Sequence, residues 1–143
     1  MVRRARPVDA DEVADVFRRS FRTLTFLPTL HTPEEDRAYF RAIARRQSLW
    51  VYEEGGLIRG LAGLSGPELT HLYVEPESQG RGIGTALLDH AKRQRPDGFW
   101  FWVFQENHGA RRFYERHGCR LVELTDGSGN EEREPDARYE WAP

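Results

Sequence analysis

Cysteine is nearly absent. Cys119 is the only one, which excludes a disulfide framework within the chain and suits a reducing compartment. No stretch approaches the run of about 18 apolar residues that a membrane span needs. The basic start, Met1 to Pro7, is not followed by an apolar segment of signal-peptide length. No basic surplus exists either: the formal net charge is -2, so neither nucleic acid nor an anionic membrane surface is an expected partner. The five histidines and the lone cysteine show no metal-ligand spacing, and no Ser-His-Asp or reactive-Cys arrangement stands out. Lysine is scarce too, with Lys92 alone among many arginines; this reads as codon usage rather than function. These absences lead to the expectation of a cytoplasmic protein that binds no metal.

The 143 residues suit one domain over 1–143, large enough to bury a core without disulfides. A helix is expected over 9–21, with Asp9 and Glu12 at capping-box spacing and Val13, Val16, Phe17 and Phe21 on one face. Residues 22–31 lack that period and contain Pro28, so they read as a loop bearing apolar side chains. Thr32, Pro33 and Glu35 then open a second helix as cap, first-turn proline and reciprocal acceptor. Strands over 48–53 and 57–64 flank the hairpin turn Glu54-Gly55-Gly56, and a third runs over 68–75 to Pro76. A helix over 82–95 follows, then residues 98–104 with the aromatic run FWFWVF, which suits a strand buried on both faces. A helix over 107–117 is capped by Asn107 and stopped by Gly118, and strands over 120–124 and 137–141 close the chain across a Gly-, Glu- and Pro-rich connection. The fold class is α+β with a mixed sheet.

The sharpest feature is the stretch 72–88, LYVEPESQGRGIGTALL. A strand ends at Pro76, and Gly80, Gly82 and Gly84 lead into a helix. Glycines let backbone approach a ligand closely, and the exposed amides and dipole of a helix start favour a phosphate. Glycine spacing alone would equally fit a flexible strand–helix turn. The P-loop pattern is missing, and G-x-G-x-x-G fails because Thr85 or Leu87 stands where its third glycine belongs.

What does match is the GNAT acetyltransferase superfamily. Gln79-Gly80-Arg81-Gly82-Ile83-Gly84 resembles its central Gln/Arg-x-x-Gly-x-Gly/Ala motif. A second block, Asn107, Ala110, Phe113, Tyr114 and Gly118, resembles its N-x-x-A-x-x-F-Y-x-x-x-G helix, with Cys119 replacing the usual aromatic. The element order is similar as well, so the resemblance covers essentially the whole chain. It implies a twisted, mostly antiparallel sheet with a splayed parallel strand pair, and acetyl-CoA as co-substrate. The CoA pyrophosphate would lie on the amides of Gly80, Arg81, Gly82, Ile83 and Gly84, with the Thr85 hydroxyl helping and Gln79 opening the motif. Backbone groups of Leu72 and Val74 would pair with the pantetheine arm, the Leu72 N–H facing the thioester oxygen as charge develops. Asn107 would contact the CoA arm, a role compatible with capping. The activity implied is direct acetyl transfer to a primary amine on a small molecule or peptide. A non-catalytic CoA-binding module acting through a partner is the alternative, and a homodimer stays open.

Acetyl transfer needs a neutral amine and a proton for the leaving thiolate. Tyr114 matches the general acid of many family members, and core packing on the Ala110, Phe113, His117 face is its competing role. Glu68 stands where several members carry a glutamate base; otherwise it is a solvated residue opening a strand. Strict alternation puts Glu68, Thr70, Leu72 and Val74 on one face, unless a bulge intervenes, and His71 on the other. His71 is therefore expected at the surface or behind the site. Phe26, Leu27, Leu30 and His31 either line the acceptor pocket or pin their loop to the core. Arg81, Arg111 and Arg112 are candidates for the adenosine 3′-phosphate, or a solvated face.

Overall fold

A computed structural model describes residues 1–143. In chain order it contains β1 (Val2–Arg4), α1 (Ala10–Phe21), α2 (Pro33–Arg46), β2 (Ser48–Glu54), β3 (Leu57–Ser65), β4 (Glu68–Val74), α3 (Ile83–Gln94), β5 (Phe99–Phe104), α4 (His108–Arg116), β6 (Arg120–Leu124) and β7 (Asp136–Trp141). Short 3₁₀ turns precede α1 and α3. No helix is long and apolar enough to cross a membrane.

The second helix starts as the sequence indicates. Thr32 accepts from the Glu35 amide while Glu35 accepts from the Thr32 amide, and Pro33 fills the first turn. The first helix does not. Asp9 turns back to accept from the Arg6 amide at 2.7 Å and pairs with Arg3, while Glu12 caps the Ile58 amide on β3 at 2.8 Å. Two stronger partners draw both carboxylates away from the expected capping box. Strand β1 was not expected, because three residues, two of them arginine, carry no readable period.

The strands form one sheet in the order β1-β2-β3-β4-β5-β7-β6. All neighbours are antiparallel except β4 and β5. That parallel pair is joined at one end only, where Glu68 lies beside Trp100 and the Trp100 amide donates to Pro67 O at 3.0 Å. Beyond that point the two strands diverge. Helices α1 and α2 cover one face with Val13, Val16, Phe40 and Ile43 against Leu49, Val51 and Leu61. On the other face Leu88 and Ala91 of α3 and Tyr114 of α4 pack on Leu69, Phe99, Phe101 and Tyr139. The aromatic strand β5 is not buried on both faces. Phe99, Phe101 and Val103 are buried, but Trp102 is 42% exposed and Trp100 lies under Arg138, 5.4 Å from ring centroid to guanidinium carbon. The absence of a helix over that side of β5 leaves an alternating strand whose outward residues are all aromatic.

Candidate active site

β4 leaves the sheet at Val74 and passes through the turn Pro76–Ser78 into α3. A bidentate ion pair from Arg19 of α1 to the buried Glu75, at 2.8 Å, holds that exit in place. Gly80 (φ 78°) and Gly82 (φ 82°) adopt left-handed backbone that a β-branched residue would resist. They bring the first-turn amides of α3 to a cavity of about 520 Å³. Leu72, Val74, Gln79, Gly80, Gly82, Ile83, Gly84, Thr85, Asn107 and Tyr114 all line it. Arg81 stands off the wall, its guanidinium bound to Glu54 at 2.7 Å. The Arg81 side chain is thus engaged by the β2–β3 hairpin, which leaves its backbone amide as the part nearest the turn.

The strand register decides which backbone groups face the cavity. The Glu75 amide donates to Arg59 O at 2.7 Å, so by antiparallel alternation Tyr73 and His71 spend their backbone groups on β3. Leu72 and Val74 turn theirs the other way, into the gap that β5 vacates. The Val74 carbonyl accepts there from Gln79 Nε2 at 3.3 Å.

α4 forms the far wall. Asn107 caps it, accepting from the Ala110 amide at 3.2 Å. Tyr114 is 7% exposed, its ring 4.3 Å from that of Phe101, and burial holds its phenol in the protonated form. It is both core and cavity wall. Arg111 donates to the Tyr139 hydroxyl at 3.1 Å and Arg112 is exposed, and neither lines the cavity. The basic residue that does is Arg116, beside His117, and neither Arg116 nor His117 is marked by the motif.

A second cavity, of about 1200 Å³, opens between α1, α2, the 22–32 loop and the β6–β7 connection. Here strict alternation along β4 fails. Gly63 pairs with His71 but Leu64 with Leu69, so Thr70 is an extra residue in a bulge. Glu68 therefore shares a face with His71 and Tyr73, which contact this cavity, while Leu69 and Leu72 point into the opposite core. His71 is not at the surface. It is 9% exposed, packed between Phe40 and Phe17, and burial pushes it down to about 4. It closes a chain in which Gln47 Nε2 donates to Thr70 Oγ1 at 2.7 Å, Thr70 bonds His71 Nδ1 at 2.8 Å and His71 Nε2 bonds the Tyr39 hydroxyl at 3.3 Å. Gly63 makes room for this chain, since a Cβ there would lie 2.8 Å from Thr70 Oγ1.

The wall is acidic. Six carboxylates line it against the guanidiniums of Arg18 and Arg22. Asp36 is taken by Arg18 at 2.8 Å and Glu131 by His31 at 2.6 Å. Glu68 and Glu132 have no ion-pair partner, and burial pushes the Glu68 carboxyl upward. Leu30 and His31 line the cavity while Phe26 packs on Phe104 at 6.2 Å, so the loop both lines and pins. The two cavities meet at Tyr73, which lines both, and whose phenol burial keeps protonated. Sequence reasoning passed over Tyr73, Glu131 and Glu132. The first sits inside the motif strand, but the glutamates lie in a connection without periodicity.

The family model for the acetyltransferase (GNAT) domain matches residues 45–119. The peptidyl-lysine N-acetyltransferase YiaC of Escherichia coli K12 is 33% identical over 75 residues, covering 52% of this chain and 51% of that protein, so the chain aligns with about half of YiaC. The probable N-acetyltransferase Rv2775 of Mycobacterium tuberculosis is 31% identical over 134 residues, covering 80% of this chain and 76% of that protein. The crystal structure of a GCN5-related N-acetyltransferase from Rhodopseudomonas palustris superposes with a TM-score of 0.85 at 24% identity, over 100% of this chain and 95% of the other.

Proposed function

This chain belongs to the GNAT acetyltransferase family, and from that premise we propose that residues 1–143 act as one domain that transfers the acetyl group of acetyl-CoA to a cationic primary amine. The observation that carries the reading is the meeting of two unlike cavities at Tyr73, one built of helix-start amides and the other lined by carboxylates, of which Glu68 and Glu132 have no ion-pair partner. The first suits a pyrophosphate. The second suits an ammonium ion that must lose its proton before it can react. A cytoplasmic location fits the single buried thiol.

Acetyl-CoA supplies the activated acyl group. Its pyrophosphate rests on the Gly80–Gly84 amides, and the open backbone of Leu72 and Val74 takes its arm as an added strand. Asn107 and Gln79 flank the arm. The amine nitrogen attacks the thioester carbon, the carbonyl oxygen gathers charge beside the Leu72 N–H, and the C–S bond then breaks. The departing sulfur takes a proton from Tyr114, and the second proton that the nitrogen sheds once it is bonded to carbon restores the phenol. The first proton, lost by the ammonium before attack, goes toward Glu68. With Thr70 bulged out, three ladder steps of about 3.3 Å put Glu68 roughly 10 Å along β4 from Leu72, so water carries the proton between them. The raised Glu68 carboxyl is a better base than an exposed one.

The acidic wall selects the acceptor. A lysine side chain in a peptide and a polyamine both present an ammonium ion on an aliphatic stem, which matches carboxylates set among Phe17, Tyr39 and Tyr73. YiaC is named for peptidyl-lysine acetylation, and that chemistry agrees with this wall. The test is release of CoA thiol from acetyl-CoA with lysine peptides, polyamines, neutral-tailed amines and acidic peptides as acceptors. Turnover confined to the cationic acceptors is expected. Turnover on acidic peptides instead would overturn the acceptor class, and acetyl-CoA binding with no turnover on any amine would return the chain to a non-catalytic CoA-binding module.

A further inference from the structure

Thr85 stands in the first turn of α3, where its hydroxyl is expected to help hold the pyrophosphate. That hydroxyl is already engaged, 3.0 Å from His117 Nε2. The direction of the bond follows from the other ring nitrogen. His117 Nδ1 lies 2.7 Å from Phe113 O, and a carbonyl only accepts, so Nδ1 carries a hydrogen. In the neutral ring Nε2 is then bare and accepts the Thr85 proton. A bound phosphate oxygen also only accepts, so Thr85 cannot serve both.

We propose that His117 is a positioning residue of the cofactor cavity, which takes up a proton when acetyl-CoA binds and so turns the Thr85 hydroxyl onto the pyrophosphate. The proton comes from solvent and settles on Nε2. Nε2–H then donates to Thr85 Oγ1, and the Thr85 hydrogen, released from the ring, donates to a phosphate oxygen. The Phe113 bond is unchanged throughout. The imidazolium adds a positive charge to a cavity that it lines together with Arg116. The other groups bearing on the ring are Lys92 of α3, whose ammonium donates to the His117 carbonyl at 2.8 Å, and Asp89, one turn beyond Thr85 on the same helical stripe. The neighbouring Cys119 thiol and Tyr114 phenol are buried and held neutral. Binding brings two phosphate charges to the cavity that the ring lines, and they favour the imidazolium.

The proposal rests on the acetyl-CoA reading of this cavity, and the experiment separates the two. Dephospho-CoA is the probe, because the 3′-phosphate of CoA itself titrates near pH 6 and would blur the result. Its binding is measured by calorimetry in two buffers of different ionisation enthalpy, and by the nitrogen-15 shifts of the His117 ring. Net proton uptake near pH 7 is expected, with affinity falling between pH 6 and 8 by at most about tenfold per unit for one proton. The ring should pass from the Nδ1–H tautomer to the cation. His117→Phe keeps an aromatic ring packed on that of Phe113 and should abolish the uptake; the nitrogen shifts decide the matter in the unaltered protein if that variant fails to fold. Binding that is flat with pH, with a ring that stays neutral, would overturn the proposal while leaving the cofactor site intact. Failure of both CoA and dephospho-CoA to bind would remove the cofactor site and this proposal together.

Discussion

The two cavities are built from different materials. The one beneath α3 is made largely of backbone: left-handed glycines, helix-start amides and the strand edge that β5 leaves open. The one under α1 and α2 is made of side chains drawn from several elements and two loops distant in sequence. Backbone geometry is set by a short local pattern, whereas a side-chain wall depends on long-range packing. The first kind of site suits a cofactor shared by many proteins, and the second an acceptor particular to each.

That contrast can be broken most sharply at Gly82. The position has open space around it, so a Cβ there meets no atom within 4 Å and the penalty lies in its φ of 82°. Gly82→Val should leave the fold recognisable by circular dichroism while weakening acetyl-CoA binding by about 100-fold or more, roughly 2.7 kcal/mol. Unchanged affinity would mean that the amides of this turn do not hold the cofactor.

On the acceptor side the largest effect expected is on stability. His71 is held neutral by burial, at about 4 against an ordinary value near 6.5. The unfolded chain therefore binds a proton that the folded one refuses. Above about pH 6.5 this costs nothing; as pH falls toward 4 it removes about 3 kcal/mol, and the loss then levels off. Denaturant unfolding at pH 7 and pH 4.5 checks this, with His71→Asn flattening that part of the profile. Equal acid sensitivity in the variant would place the loss on other groups.

Tyr114→Phe removes only a hydroxyl from a well-packed ring. A fall in kcat of about tenfold or more is expected, with acetyl-CoA affinity and melting temperature nearly unchanged. Rapid-quench measurement of the chemical step is the check. An unaltered rate of that step would transfer the proton donor's role to water or to Tyr73, which burial also keeps protonated.

The smallest effect belongs to the outer wall. Glu132→Gln should raise KM for a cationic amine by about threefold to tenfold without altering kcat, in the range of one exposed charge interaction. A matching rise for a neutral-tailed amine would show that Glu132 acts by shape rather than charge.

The helices, the hairpin and the glycine turn before α3 were legible because each is written in a few adjacent residues. Thr32-Pro33-x-Glu35 makes its own cap, and Gly80 and Gly82 need no distant partner to take their backbone shape. What escaped notice needed tertiary knowledge. The bulge at Thr70 depends on how β4 registers with β3, and it reverses the face on which Glu68 lies. Asp9 and Glu12 have the spacing of a capping box, but Arg3 and the Ile58 amide draw them elsewhere. Glu131 and Glu132 reach the second cavity only because the β6–β7 connection folds over it, tied by Asn130 to the Glu134 carbonyl at 2.7 Å. The open outer face of β5 follows from a helix that is not there, which no local pattern records.

The division of labour between the cavities is tested most directly by backbone amide shifts in nitrogen-15 spectra, first with acetyl-CoA and then with a lysine peptide added to the CoA complex. Acetyl-CoA should move the amides of Leu72, Gly80, Gly82, Gly84 and Thr85 and leave those of Ser128 to Glu132 nearly still. The peptide should then move the latter set, with Tyr39 and Glu68. Acetyl-CoA shifts centred on residues 128–132, with a silent Gly80–Thr85 turn, would contradict the account.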